Sequence, residues 1–327
     1  MNIKRNINPK EICDQIKKGN ITALSKAITI SESNIDSDQE LANKILAKLK
    51  TKNNDSIRIG ITGVPGAGKS TFIESFGNHI TNLGLKLAVL TIDPSSSVTK
   101  GSILGDKTRM ETLSANKNVF IRPSPASNFQ GGVGKNTRES IFLCESAGYD
   151  IILIETVGVG QNEISVAEMV DFFLLLKISG SGDELQGIKR GIIEMSDLIA
   201  INKCDGDNVK DSIKAKNEFK LALQLFPRKK SNWKPQVLTC SSLTGEGLAE
   251  IWECITNYVN LTKKNNYFYE NRINQNKSWL LQIIDYSLRK SFFNRKSIKI
   301  KLNNLIKKIE EQKISIFEAS RKILSEI

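Results

Sequence analysis

The sequence is short of the residues that build metal centres and disulfide frameworks. It has one histidine, His79, and five cysteines, Cys13, Cys144, Cys204, Cys240 and Cys254, with no Cys-x-x-Cys pair. Scattered thiols with a single imidazole exclude a zinc site of ordinary ligand spacing and a disulfide-stapled scaffold. They read instead as small buried apolar side chains in a reducing compartment, and His79 as an ordinary position on an amphipathic helix. No run approaches the roughly 20 apolar residues that a membrane-spanning helix needs. The opening Met-Asn-Ile-Lys-Arg-Asn lacks the apolar core of a secretory signal. A cytoplasmic protein with no membrane partner is expected. The basic clusters Arg228-Lys229-Lys230 and Lys263-Lys264 carry no interleaved aromatic rings. The net charge of +12 therefore reads as a solvated basic surface, open to an anionic nucleotide or an acidic protein, and no nucleic-acid partner is expected.

What is present fits a globular chain with a substantial core: 327 residues, 39% hydrophobic and 25% charged. Residues 1–55 read as an N-terminal helical extension. Asn8-Pro9 has the form of an N-cap followed by proline at the first helical position, with Ile12 and Ile16 at helical spacing. Leu41, Ile45, Leu46 and Leu49 share a second helical face. From residue 57 the texture changes. Short apolar runs at 57–62, 87–92, 119–122, 151–155, 172–178, 198–201 and 237–240 alternate with amphipathic stretches such as Phe72, Ile73, Phe76, Ile80 and Leu83. That rhythm predicts an α/β domain over 56–262, a doubly wound, mostly parallel sheet buried on both faces. Residues 263–327 return to helix, with stripes at Trp279, Leu280, Ile283, Ile284 and Leu288, then Leu302, Leu305, Ile306 and Ile309. This arm shows no core of its own, so it is expected to dock on the α/β domain or a second subunit.

Gly63-Val64-Pro65-Gly66-Ala67-Gly68-Lys69-Ser70 matches G-x4-G-K-[ST] in full, directly after a predicted strand and opening a predicted helix at Thr71. Glycines let the backbone wrap phosphates, the helix N-terminus favours negative charge, Lys69 reaches the β- and γ-phosphates, and the Ser70 hydroxyl ligates Mg²⁺. Asn202-Lys203-Cys204-Asp205 follows the apolar run 198–201. A carboxylate at Asp205 can accept from guanine N1–H and N2–H₂, a donor pair adenine lacks, while the Lys203 stem covers the base. Ser241, Ser242 and Leu243, after the next run, are placed to complete the base pocket. Where many GTPases have D-x-x-G, the chain has Glu155-Thr156-Val157-Gly158. Glu155, Asp93 and Asp106 are the candidate Mg²⁺ carboxylates, and Mg²⁺ takes few of them beside phosphate and water. The Gly158 N–H is the candidate γ-phosphate sensor.

With these motifs stands a resemblance. Asp93-Pro94-Ser95-Ser96, Gly101-Ser102-Ile103-Leu104-Gly105-Asp106-Lys107-Thr108-Arg109-Met110, Arg122-Pro123-Ser124-Pro125, Glu155-Thr156-Val157-Gly158-Val159-Gly160-Gln161 and Gly182-Asp183-Glu184-Leu185-Gln186-Gly187-Ile188-Lys189 resemble the MeaB/ArgK family of P-loop GTPases. These are the G-protein chaperones of adenosylcobalamin-dependent methylmalonyl-CoA mutase and related acyl-CoA mutases. The resemblance implies GTP and GDP as ligands, Mg²⁺ as cofactor, and Lys69, Asp93, Asp106, Glu155 and Lys189 as the groups serving catalysis. It also implies a third switch at Asp183, Glu184, Gln186 and Lys189 that signals to the mutase, slow partner-stimulated hydrolysis, and a homodimer through the C-terminal arm. The chain departs from the family pattern at Ser97-Val98-Thr99-Lys100-Gly101, at Ala126-Ser127-Asn128-Phe129-Gln130-Gly131-Gly132 and at Ser179-Gly180-Ser181-Gly182-Asp183, loops expected to meet the partner. The alternatives are a nickel- or cobalt-type metallochaperone GTPase, which the shortage of His and Cys disfavours, and a transport-system ATPase or kinase, which Asp205 disfavours.

Overall fold

The computed structural model describes residues 8–49, 55–93, 110–125, 132–156, 162–180 and 190–326. Three helices come first: α1 (Pro9–Lys17), α2 (Ile21–Ser31) and α3 (Asp36–Lys48). Asn8 caps α1 through its side-chain oxygen, which accepts from Lys10 N at 3.0 Å, and Asn20 caps α2 in the same manner from Ala23 N at 2.9 Å. The helix α2 lies between the two stretches that periodicity singles out.

Seven strands then form one all-parallel sheet: β1 (Ile57–Gly63), β2 (Leu87–Asp93), β3 (Val119–Pro125), β4 (Ile151–Thr156), β5 (Phe172–Ile178), β6 (Leu198–Asn202) and β7 (Gln236–Thr239), in the order β3-β2-β4-β1-β5-β6-β7. Between them run α4 (Lys69–Asn82), α5 (Glu111–Ser114), α6 (Gly132–Ala147), α7 (Asn162–Ala167), α8 (Arg190–Met195) and α9 (Val209–Leu223), with α10 (Leu248–Lys264) after β7. The chain winds outward from β1 in both directions, so the carboxyl ends of the strands gather around the loop that leaves β1, the usual place for a ligand in such a sheet.

The strands read as continuous apolar runs because both faces are covered. Leu87, Val89, Ile151, Leu153, Phe172 and Leu174 point into one core with Phe72, Ile73, Phe76 and Ile80 of α4 and Ile251 and Ile255 of α10. Their neighbours Ala88, Leu90, Ile152, Ile154 and Phe173 point into the other with Ile141 and Cys144 of α6 and Ile16, Leu24 and Ile28 of the first helices. A slip of one residue would exchange the two sets, so register is fixed by burial on both sides. Leu83, the last member of the predicted α4 stripe, is 52% exposed at the helix C-cap, where the helix has already turned away from the sheet. Four of the five thiols are buried and Cys204 is half-buried.

The chain divides into two compact units, Met1–Ile273 and Asn274–Ile327. The long helix α11 (Tyr267–Asn294) begins in the first and ends in the second, which also holds α12 (Lys296–Glu310) and α13 (Ile316–Leu324). Contrary to the reading of a coreless arm, the second unit has a small core: Ile298 and Leu305 of α12 against Ala319 and Ile323 of α13. The missing face comes from α13, whose two buried apolar residues, Ala319 and Ile323, are too few to stand out by periodicity. The predicted α11 stripe divides, with Leu280, Ile284 and Leu288 45–63% exposed. Among the described residues no helix is long and apolar enough to cross a membrane.

Candidate functional site

The loop between β1 and α4 has the geometry of a phosphate cradle. Gly66 and Gly68 both sit in the left-handed region, at φ +83° each, and Gly68 is the N-cap of α4. A side chain at Gly68 would be strained there, and its Cβ would come 2.9 Å from Asn202 Nδ2. Gly63 packs so closely on β5 that a Cβ would strike the Leu176 carbonyl oxygen. Ala67 is fully buried, whereas Pro65, Gly66 and Thr71 face solvent. The Lys69 ammonium is turned onto its own loop, donating to the carbonyl oxygens of Gly63 at 2.8 Å and Val64 at 3.3 Å. Burial pulls the pKa of this ammonium below its ordinary value, and the carboxylates of Glu155 and Glu163 pull it back.

Next to the lysine, Ser70 Oγ lies 3.5 Å from Glu155 Oε1, bringing the α4 N-terminus to the end of β4. A hydroxyl and a carboxylate are hard oxygen donors of the kind Mg²⁺ takes, so these two side chains fit the metal that the fold family uses. The neighbouring Thr156 hydroxyl is fixed by Thr62 at 2.9 Å, bonding β4 to β1 beneath the loop. Asp93 ends β2 on the same edge of the sheet. Its side chain lies outside the described residues, as do Asp106, Gly158, Asp183, Glu184, Gln186 and Lys189.

The base side is built from the ends of β6 and β7. Asn202 is buried, and its amide spans the site. Nδ2 donates to Ala67 O of the phosphate loop at 2.9 Å, while Oδ1 accepts from Ser242 N at 3.1 Å and Ser242 Oγ at 2.8 Å. One side chain thus ties phosphate loop to base loop. Lys203 adopts φ 60°, a left-handed conformation costly for a lysine, held by Asn208 Nδ2 donating to its carbonyl at 2.7 Å and by Cys204 N donating to Cys240 O at 3.0 Å. That turn brings Asp205 back to the β7 loop, where Ser241 Oγ donates to its Oδ2. The same hydroxyl accepts from Leu243 N at 3.2 Å and Thr244 N at 3.1 Å. Lys203 and Leu243 are exposed, so the groups assigned to cover the base stand at the surface of a rigid loop pair.

The family model described as "Methylmalonyl Co-A mutase-associated GTPase MeaB" matches residues 24–297. The chain belongs to the MeaB family of P-loop GTPases. Among MeaB relatives, "GTPase ArgK" of Escherichia coli is 46% identical over 81% of this chain and 80% of its own length. A protein described as a probable GTPase from Mycobacterium tuberculosis is 40% identical over 94% of this chain and 92% of its own. The mouse protein "Methylmalonic aciduria type A homolog, mitochondrial" is 43% identical over 89% of this chain and 73% of its own. A solved structure described as LAO/AO transport system kinase superposes with TM-score 0.75 at 34% identity, covering 98% of each chain. A guanine-nucleotide ligand follows from the family.

Several residues around the two loops have roles that only the structure reveals. Glu163, on the first turn of α7, is 7% exposed, and its charge acts on Lys69. Ser75 on α4 donates to Ser242 O at 2.6 Å, a second tie between the two halves. Asn208 links the base loop to β5 by accepting from Ser179 Oγ at 2.7 Å. All three are ordinary polar residues of amphipathic segments, and only the placement of distant elements gives them partners. Lys229, in a cluster whose composition predicts a solvated surface, is instead an ion-pair partner of Asp197 at 2.7 Å and braces the start of β6.

Proposed function

We propose that this GTPase couples Mg²⁺-dependent GTP hydrolysis to the protection and cofactor loading of an adenosylcobalamin-dependent acyl-CoA mutase of the methylmalonyl-CoA mutase type. The observation that carries the reading is the family match over residues 24–297, in a chain whose phosphate and base loops are already joined through Asn202. In this reading Lys69 exchanges the carbonyls of Gly63 and Val64 for the β- and γ-phosphates. Backbone N–H groups of Gly66, Ala67, Gly68 and Thr71 complete the cradle. Asp205, oriented by Ser241, accepts from guanine N1–H and N2–H₂, and backbone groups of Ser242 and Leu243 meet the opposite edge of the base. Ser70 and Glu155, with Asp93 or Asp106, would hold Mg²⁺, which would offset the negative charge of the phosphates. Gly158 would sense the γ-phosphate, and Asp183, Glu184, Gln186 and Lys189 would relay nucleotide state to the mutase. The exposed Leu280, Ile284 and Leu288 of α11 would be covered by the same helix of a second copy, giving a two-fold homodimer.

The test is GTP turnover by the purified protein, alone and with the mutase from the same organism. Slow turnover that the mutase accelerates supports the reading; turnover that the mutase leaves unchanged removes the client and keeps the GTPase. A second reading, an ATP-dependent kinase, takes its support from the description of the superposing structure. It requires ATP to bind as well as GTP, so a competition measurement decides against one of the two.

A further inference from the structure

Asn208 leads into α9 at the N-cap position, where an asparagine side chain ordinarily accepts from the first free N–H groups of the helix. Here it makes no such bond. Its side chain turns instead to the base loop, Nδ2 donating to the Lys203 carbonyl at 2.7 Å, while its backbone N–H donates to the Asp205 carbonyl at 3.1 Å. One residue therefore holds the loop on both sides of Cys204. The restraint falls where it is needed, because Lys203 sits at φ 60°, a conformation that a lysine keeps only when its surroundings impose it.

The amide is held in turn from the sheet. Ser179, the first residue after β5, donates through Oγ to Asn208 Oδ1 at 2.7 Å. With Oδ1 taken by that proton, the donor end Nδ2 must face Lys203; the reverse orientation would set oxygen against oxygen. Ser212 on α9, fully buried, lies 3.5 Å from Ser179 Oγ and 3.4 Å from Asn208 Nδ2 and closes the group. Ser179 opens a segment in which the chain departs from the family pattern, and its hydroxyl is what the anchor uses.

We propose that Asn208, anchored by Ser179, is a positioning residue that sets the preference for guanine over purines lacking the 2-amino group. It acts through the Lys203 backbone, not on the base itself, keeping the Asp205 carboxylate at the angle from which it accepts from N1–H and N2–H₂ together; the role rests on the base pocket proposed above. A loosened loop still meets one donor but not two in register. The loss should therefore fall harder on GDP than on IDP, whose base offers N1–H alone.

The experiment compares the full-length protein with Asn208→Ala, Asn208→Asp, Ser179→Ala, Ser179→Thr and the Ser179→Ala/Asn208→Ala double variant, with Asp205→Asn alongside. Dissociation constants for GDP and IDP are measured by titration calorimetry, and Tm without nucleotide. Asn208→Ala should weaken GDP binding about tenfold and IDP binding about threefold or less, narrowing the preference. Asn208→Asp keeps the size and the Ser179 bond but has no donor for Lys203, so it should do the same. Ser179→Ala should cost about threefold in GDP affinity, and Ser179→Thr, which keeps the hydroxyl, should restore it. The double variant should be no weaker than Asn208→Ala, because one residue acts through the other. An unchanged GDP-to-IDP ratio in Asn208→Ala, with a lowered Tm, would make the residue a structural brace and overturn the proposal, as would additive losses in the double variant. Asp205→Asn separates the two readings. If it narrows the ratio and Asn208→Ala does not, the positioning role alone falls; if it leaves the ratio unchanged, the base pocket falls and the proposal with it.

Discussion

The two halves of the nucleotide site are prepared in different ways. On the base side the polar groups are already bonded to one another: Asn202 to Ser242, Ser241 to Asp205, Asn208 to Lys203. On the phosphate side the key cation rests on carbonyls of its own loop, at 2.8 and 3.3 Å. Base selection needs a fixed geometry, because discrimination depends on leaving a wrong base unpaired. Phosphate binding needs a charge that can be transferred, and a lysine on a flexible stem exchanges weak carbonyl partners for strong anionic ones. Rigidity serves selectivity here, and a displaceable cation serves grip.

The largest effect should come from breaking the phosphate half. Lys69→Ala removes the transferred charge and should cost about 3–5 kcal/mol of binding for GTP and GDP alike, read by isothermal titration; retention of tight binding would show that the parked lysine never engages the phosphates. Asp205→Asn should cost about a hundredfold in GTP affinity and little in ATP affinity, so a competition assay would report lost selectivity rather than lost binding. Asn202→Ala touches both halves. It leaves buried partners at Ala67 and Ser242 unsatisfied, so about 2–3 kcal/mol should go from folding stability as well as from nucleotide affinity. A variant that loses affinity with unchanged Tm would mean that the tie is made only in the bound state.

The smallest effect is a control away from both halves. Burial pushes the Glu139 carboxyl on α6 up to about 7, with Lys135 only partly opposing. The folded state therefore keeps a proton that the unfolded chain has released, and stability should fall as pH rises from about 4.5 to 7 and level off above, by about 1–3 kcal/mol. Glu139→Gln should flatten that slope in chemical denaturation, without altering selectivity between GTP and ATP.

Contiguous motifs made most of the fold and half of the site legible in the sequence. The phosphate loop is one unbroken run of eight residues, and the strands are apolar runs long enough to read singly. What stayed hidden is whatever depends on a partner far along the chain. The Asn202 amide reaches 135 residues back to Ala67, Ser75 reaches Ser242 across 167, and Glu163 meets Lys69 only because α7 returns to the carboxyl edge of the sheet. The pair of half-buried Lys229 and buried Asp197 cannot be told from a solvated charge cluster in the sequence, since composition says nothing about where an ammonium points. The helix α13 was missed for a different reason: two turns hold too few apolar positions to show a period, yet they close the core of the second unit.

The first three helices carry a practical consequence. Ile16, Leu24 and Ile28 are at most 1% exposed and share a core with Ala88, Leu90 and Ile152 of the sheet. A shortened GTPase beginning at Ser56 would keep every nucleotide-site residue yet present a bare apolar wall along α6, a sticky surface that would drive the fragment to aggregate during purification. Anyone seeking a minimal catalytic fragment should trim from the other end, after Ile273, where the chain changes from one compact unit to the next.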